Sequence, residues 1–332
     1  MNTSADFARL LEAFFTDRLM RQRRASPHTI AAYRDTFRLL VKFAAAHLKK
    51  APSALTLADI DAPFIGTFLD HVEKDRDNNP RSRNARLAAI HSFFRYAALE
   101  EPTHSALIQR VLAMPSKRFD RKPIEFLSPP ETEALLAVPD QSTWTGRRDR
   151  ALLLLMVQTG LRVSETTGLR GQDVVLDHSA YVRCQGKGRK ERCTPLTKEA
   201  VSVLRSWLRE CNPQPSAPLF PNARGGPLSR DGVEYLLAKY TVIARQQCPS
   251  LEKKQVCPHM LRHTAAMNLL QHGVDRSVIA LWLGHETVET TQMYLHANLE
   301  LKEQALARTS SLGVSAGRYQ PDDHLLAFLN NL

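Results

Sequence analysis

The chain has 332 residues, 43% of them hydrophobic, and a formal net charge of +11. A chain of this length usually divides into two domains, and one this apolar has core enough to exclude wholesale disorder. The positive charge points to a polyanionic partner, because Lys and Arg that neutralise phosphates release bound counterions.

The charge is uneven. Residues 1–125 carry 21 Lys and Arg against 14 Asp and Glu, a net of +7, and the remainder carries 24 against 20, a net of +4. No run approaches the roughly 18 apolar residues of a membrane span. The longest apolar stretch, Ala151 to Val157, is bounded by Arg148, Asp149, Arg150 and Gln158 and reads as a buried helix. With Asp6 early and no apolar signal core, no export is expected. The five cysteines form no CxxC pair, which argues against a zinc cage and fits reduced thiols in a cytoplasm.

In chain order, residues 5–20 read as a helix with Phe7, Leu10, Leu11, Phe14 and Phe15 on one stripe. Ser26-Pro27 opens a second helix: Ser26 suits the cap and Pro27 the first helical position. Thr56 to Asp59 starts a third, with Ile60, Phe64, Ile65, Phe68 and Leu69, and Arg83 to Leu99 makes a fourth. That fourth helix mixes Arg81, Arg83, Arg86, His91 and Arg95 with its apolar residues, as either a solvated face or a DNA-contacting one. From Met114-Pro115 the pattern breaks into a basic, proline-containing linker with Lys117, Arg118, Arg121 and Lys122, expected to be extended and exposed.

Beyond the linker, Glu131 to Val138 and Asp149 to Thr159 read as helices. Asp173 to Leu176, Tyr181 to Cys184 and Glu191 to Pro195 read as three short strands. Helices resume over 198–210, 230–247, 259–272, 277–283 and 288–296, and a short amphipathic one closes the chain over 322–332. The expected fold is mainly α with a small antiparallel sheet.

Four separated segments carry candidate chemistry. In Thr159-Gly160-Leu161-Arg162-Val163-Ser164-Glu165 an apolar helix ends at Gly160, and Arg162 emerges at the turn. Arg162 there suits a phosphate gripped through two N–H bonds, or a surface salt bridge to which Glu165 contributes. In Gly186-Lys187-Gly188-Arg189 the glycines allow a tight turn with Lys187 at its tip; the spacing is not that of a nucleotide P-loop, and an exposed basic turn is the plainer reading. In His259-Met260-Leu261-Arg262-His263-Thr264, His259 and Arg262 share one face of a helix start, a natural cradle for an oxyanion. Zinc between His259 and His263 would meet the spacing but lacks the Glu of H-E-x-x-H. The fourth segment, Leu283-Gly284-His285 followed by Met293-Tyr294-Leu295, holds a tyrosine that on its own would read as packing.

Taken together and in order, these segments, with Ser26-Pro27-His28-Thr29 ahead of them, resemble the tyrosine recombinase (phage integrase) family, with its Xer-type, integron-type and transposon-type enzymes. The resemblance covers most of the chain. It implies a two-domain C-shaped clamp on double-stranded DNA. An N-terminal helical, SAM-like DNA-binding domain (1–112) would be joined by the basic linker (113–126) to a mixed α+β catalytic domain (127–320), with residues 321–332 as a protomer-exchange helix. It implies site-specific cutting and rejoining of DNA through a 3′-phosphotyrosyl link. Tyr294 would be the nucleophile, Arg162 and Arg262 would hold the phosphate, and Lys187 would be the general acid. His259 would assist proton transfer at the tyrosine, His285 would bond the phosphate, and Glu165 would support the site. Arg81, Arg83, Arg86, Arg95, Lys117, Arg118, Arg121, Lys122 and Arg189 are the candidate DNA contacts. The reaction would need no cofactor, metal or nucleotide, and would proceed in a tetramer on DNA in the cytoplasm. The rivals are a recombinase-like DNA-binding regulator without catalysis and a type IB topoisomerase-like enzyme.

Overall fold

The computed structural model describes residues 6–75, 78–120, 124–186 and 191–284. Its contacts divide the chain after Arg121 into two units, residues 1–121 and 122–332.

In the first unit Asp6 caps α1 (Phe7–Ala13) by accepting from the Ala8 and Arg9 amides. The chain then continues as a π-helix, Phe14–Gln22, so the single helix expected over 5–20 is two segments. The cause is visible in the side chains. A regular helix would turn Arg18 inward four residues after Phe14, whereas the wider π turn brings Leu19 inward instead, and both Phe14 and Leu19 are buried. Ser26 caps α2 (Pro27–Leu48), its Oγ accepting from the Thr29 amide at 3.2 Å. Thr56 to Asp59 does not start the third helix. Leu57–Asp59 is a separate 3₁₀ turn, closed by Asp59 Oδ2 accepting from the Thr56 amide at 2.9 Å. Helix α3 (Ala62–Lys74) starts afresh, capped by Asp61, where Pro63 falls in a first turn that does not need its N–H. The unit is completed by α4 (Pro80–Glu100) and α5 (Ser105–Leu112), the latter absent from the sequence expectation. An aromatic core binds them: Phe93 lies edge-on to Phe7 at 5.3 Å and Phe37 at 5.4 Å, and Phe14 meets Tyr33, Phe37, Phe93 and Tyr96.

The second unit is mainly helical around a small sheet. Its helices are α6 (Pro129–Ala137), α7 (Trp144–Thr159), α8 (Val163–Gly168), α9 (Lys198–Cys211), α10 (Arg230–Gln247), α11 (Pro258–Gln271) and α12 (Arg276–Leu283). Strands β1 (Val174–Val175), β2 (Tyr181–Gln185) and β3 (Glu191–Pro195) form an antiparallel sheet in sequence order, with Cys184 opposite Arg192. The apolar run Ala151 to Met156 buries every residue, which places α7 at the centre of the core. Residues assigned to the linker join this unit: Ile124 and Phe126 pack beside Met267, Leu270, Ile279 and Leu283. The chain is pinned next to them by the Leu127 amide donating to Thr264 Oγ1 at 2.9 Å. Lys254 Nζ donates to the Phe126 carbonyl at 2.7 Å and to the buried Glu131 at 2.6 Å. Among the described residues no helix is long and apolar enough to cross a membrane.

Candidate active site

Helix α7 ends at Gly160 in the left-handed conformation, φ +64°. Only glycine fits here twice over, since a Cβ would lie 2.6 Å from Leu283 Cδ2 and 3.1 Å from Ala265 Cβ. The reversal delivers Arg162 to the start of α8, where its amide donates to Glu165 Oε2 at 2.8 Å and its Nη1 to Glu165 Oε1 at 2.8 Å. The salt bridge foreseen in the sequence is therefore present. Arg162 Nη2 also donates to the Gly284 carbonyl at 3.3 Å, and 35% of the side chain remains exposed.

Arg262 comes from α11 to the same place. It is 3% exposed, and its guanidinium donates from Nη1 to the Gly160 carbonyl at 2.7 Å and from Nη2 to the Leu283 carbonyl at 2.6 Å. Those acceptors are the C-terminal ends of α7 and α12, where the helix dipole favours a cation, so the desolvated charge is compensated. Trp282 Nε1 donates to the Thr159 carbonyl at 3.0 Å and closes the junction. Two arginines far apart in sequence thus meet where α7 ends and α12 ends, one residue before His285.

Glu165 is 7% exposed. Burial alone would raise its carboxyl, but the hydrogen bond from Arg192 and those from Arg162 hold it below the ordinary carboxylate value. Arg192, on β3, donates to Glu165 from Nη1 at 3.0 Å and Nη2 at 2.7 Å, and from Nε to the Trp282 carbonyl at 3.1 Å. Gly284, at φ +65°, has no room for a Cβ beside it: one would sit 2.8 Å from Arg192 Nη1. No role for Arg192 follows from the motifs. The available signal is strand alternation, because Arg192 falls on the inward side of β3 with the buried Thr194, and an inward arginine requires a partner.

His259 is exposed in the first turn of α11, and its ring meets that of His263 edge-on at 4.6 Å. Burial, with the neighbouring His259 and Arg262, pushes the His263 imidazole down to about 4. Among the described residues no group of three or more His, Cys, Asp or Glu is placed to hold a metal ion.

Lys187, Arg189, His285 and Tyr294 lie outside the described residues, as do Arg121, Lys122 and the helices expected over 288–296 and 322–332. Of the basic residues on α4, Arg81 and Arg95 are exposed while Arg83 and Arg86 are half-buried. Arg83 Nε is 3.5 Å from Glu73, and Lys117 Nζ is 2.6 Å from the same carboxylate. Lys117 is not loose: its backbone exchanges both hydrogen bonds with the Asn84 amide, at 2.9 and 2.8 Å. Arg118 is exposed. His91, by contrast, is tied to the Val111 carbonyl at 3.0 Å, and burial lowers its pKa.

Residues 125–300 match the model of the phage integrase family, and residues 12–101 match the phage integrase N-terminal SAM-like domain. The chain is 60% identical to the "putative integrase/recombinase y4rC" of Sinorhizobium fredii over the full length of both. It is 34% identical to the tyrosine recombinase XerC of Pelobacter propionicus, covering 84% of this chain and 88% of that one. Its fold is similar to that of the XerH site-specific recombinase in a post-cleavage complex with difH DNA, with TM-score 0.69, 24% identity, and coverage of 86% of this chain and 81% of the other.

Proposed function

The chain belongs to the phage integrase family of tyrosine-type site-specific DNA recombinases, and from that premise we propose how its own residues cut and rejoin duplex DNA. The Tyr294 oxygen attacks the scissile phosphorus. A P–O bond to the tyrosine forms as the P–O5′ bond breaks, leaving a 3′-phosphotyrosyl link and a 5′-hydroxyl. His259 takes the tyrosine proton, and Lys187 gives one to the departing 5′ oxygen. Arg162 and Arg262 hold the nonbridging oxygens and offset the charge that builds on them, joined by His285. Glu165 supports Arg162. Rejoining runs the same steps backward with the 5′-hydroxyl of the partner strand, so the bond energy is conserved in the covalent link.

The observation that supports this most directly is the meeting of Arg162 and Arg262 at the Gly160 and Leu283-Gly284 carbonyls. It holds Arg162 at the Gly284 carbonyl and Arg262 at the Leu283 carbonyl, just ahead of His285 in the chain, which supports a phosphate-binding role for both. In the same reading, residues 1–112 are a DNA-binding domain whose contacts come from the exposed Arg81 and Arg95 of α4 and from the half-buried Arg83 and Arg86. Residues 113–126 are a linker with contacts from Lys117, Arg118, Arg121 and Lys122, and residues 127–320 carry catalysis, with Arg189 beside Lys187 on the DNA. Residues 321–332 link protomers in a tetramer working in the cytoplasm.

The test is a nicked suicide substrate built on a site recovered by footprinting a random DNA library. The wild-type chain should accumulate covalent adduct and Tyr294→Phe none, with DNA binding retained. Adduct from Tyr294→Phe at the parental rate would show that the nucleophile is another residue.

A further inference from the structure

We propose that Arg192 is a positioning residue of this site: it neutralises Glu165, so that the charge of Arg162 is left for the DNA phosphate, and it ties both to the end of α12. The proposal rests on the reading that Arg162 holds the phosphate, and it assigns to a residue outside the motif set the task of keeping Arg162 available.

The geometry makes the assignment. Glu165 is a buried carboxylate with two guanidiniums around it. Oε1 accepts from Arg162 Nη1 at 2.8 Å and Arg192 Nη1 at 3.0 Å; Oε2 accepts from the Arg162 amide at 2.8 Å and Arg192 Nη2 at 2.7 Å. Only Arg192 forms the two-pronged bond in which both guanidinium ends meet both carboxylate oxygens, the stronger arrangement. Its side chain is 12% exposed against 35% for Arg162. Arg192 is therefore the buried counter-ion, and Arg162 the cation that faces outward. With one negative and two positive charges, the trio carries a net +1 beside the phosphate. Without Arg192 the carboxylate would claim Arg162 for itself, and the net charge there would fall to zero. The third nitrogen of Arg192 donates to the Trp282 carbonyl at 3.1 Å, and its guanidinium fills the space where Gly284 has no Cβ. The same side chain thereby sets the end of α12, from which the chain passes to His285.

Glu165 faces Arg162 from its own turn, Arg192 from β3 and the Cys184 thiol from β2. Burial pushes that thiol up to about 11, so it stays neutral near pH 7. Removing Arg192 leaves Arg162 as the one cation of this group. The Glu165 carboxyl should then rise and take up a proton in mild acid, which restores the net charge. An electrostatic role therefore predicts a pH signature that a packing role lacks.

The experiment measures covalent adduct on the suicide substrate for Arg192→Gln, Arg192→Lys and Arg192→Gln combined with Glu165→Gln, from pH 8 to pH 5, beside thermal unfolding and DNA binding. Arg192→Gln should slow adduct formation by on the order of tenfold to a hundredfold, the scale on which losing an outer-shell partner that orients a metal ligand lowers activity. Its deficit relative to wild type should shrink as pH falls. The double variant should be faster than Arg192→Gln alone, because the unpaired carboxylate is gone, and Arg192→Lys, which keeps the charge but loses the two-pronged bond and the bond to the Trp282 carbonyl, should lose less than Arg192→Gln. A deficit constant from pH 8 to pH 5, or a double variant no faster than the single, overturns the proposal. If Arg192→Gln fails to fold, Arg192→Lys decides: a folded, DNA-binding Lys variant more than about a hundredfold slower than wild type, beyond the range expected for losing the charge altogether, refutes the charge argument. Absence of Tyr294-dependent adduct from the wild-type chain would instead refute the underlying reading of the site.

Discussion

Gly160→Ala separates a backbone requirement from a packing one at the point where both arginines are anchored. The new Cβ would meet Leu283 Cδ2 at 2.6 Å and Ala265 Cβ at 3.1 Å, while the backbone stays at φ +64°. The left-handed conformation costs a non-glycine residue about 1–2 kcal/mol. Forcing a methyl into a filled core costs about 1–3 kcal/mol more, for a sum of roughly 2–5 kcal/mol. For a unit of this size each kcal/mol lowers Tm by about 2–4 °C, so the unfolding transition of the second unit should fall by roughly 5–20 °C in differential scanning calorimetry. Leu283→Ala alone should cost about 2–5 kcal/mol for the cavity it leaves. In the double variant the atom that Cβ strikes is gone, so the combined loss should fall short of the sum by about 1–3 kcal/mol, the packing share. The backbone share should persist. Additive losses within about 0.5 kcal/mol, the range expected of independent sites, would show that Leu283 is not what excludes a side chain at Gly160. A Tm for Gly160→Ala equal to wild type would defeat both parts of the reasoning. Because the Gly160 carbonyl holds Arg262 Nη1, adduct formation should fall further than the loss of folded protein explains.

Lys187→Ala should cripple cleavage of ordinary DNA yet cleave a substrate with a 5′-bridging sulfur, whose thiolate leaves without a proton; failure of that rescue, with Lys190→Ala rescued instead, would move the acid to Lys190. The His263 ring should titrate near 4 by NMR. Since the folded pKa lies below the ordinary 6.5, the unfolded chain binds the proton first as pH falls, so the stability His263 contributes is complete above about 6.5 and is lost progressively between about 6.5 and 4; an ordinary titration near 6.5 would refute its burial. Deleting residues 322–332 should leave DNA binding by single protomers intact while weakening cooperative binding and strand exchange, as measured by gel shift and recombination assays; unchanged cooperativity would make that segment a local cover.

Much of the fold was legible from local signals: apolar spacing along α2 and α4, the Ser26-Pro27 start of α2, and for α7 an apolar run, Ala151 to Val157, held between charged residues. The misses have separate causes. Helix α5 has eight residues and follows Pro102, too short to be stable without the tertiary contacts that bury Ile108 and Val111. The π turn after α1 puts Phe14 and Leu19 inward five residues apart, a spacing that has meaning only once the inside is known. Glu131 and Lys254, joined at 2.6 Å across 123 residues, leave no local pattern at all.

The site divides along the same line. Arg162 and Glu165 could be paired from sequence because they sit three residues apart at a helix start, where amide and guanidinium can meet one carboxylate. The partners of Arg262 and Trp282 could not, because they are the carbonyls of Gly160, Leu283 and Thr159, and every residue has a carbonyl. What selects these carbonyls is position: they belong to helix ends, which leave acceptors without intrahelical donors. A helix that stops inside a core must find donors or bear an unsatisfied group. Here Arg262 and Trp282 supply them, so the ends of α7 and α12 and the placing of a guanidinium at the site become one structural solution. A motif names the arginine, but the glycines that stop the helices determine where its charge is held.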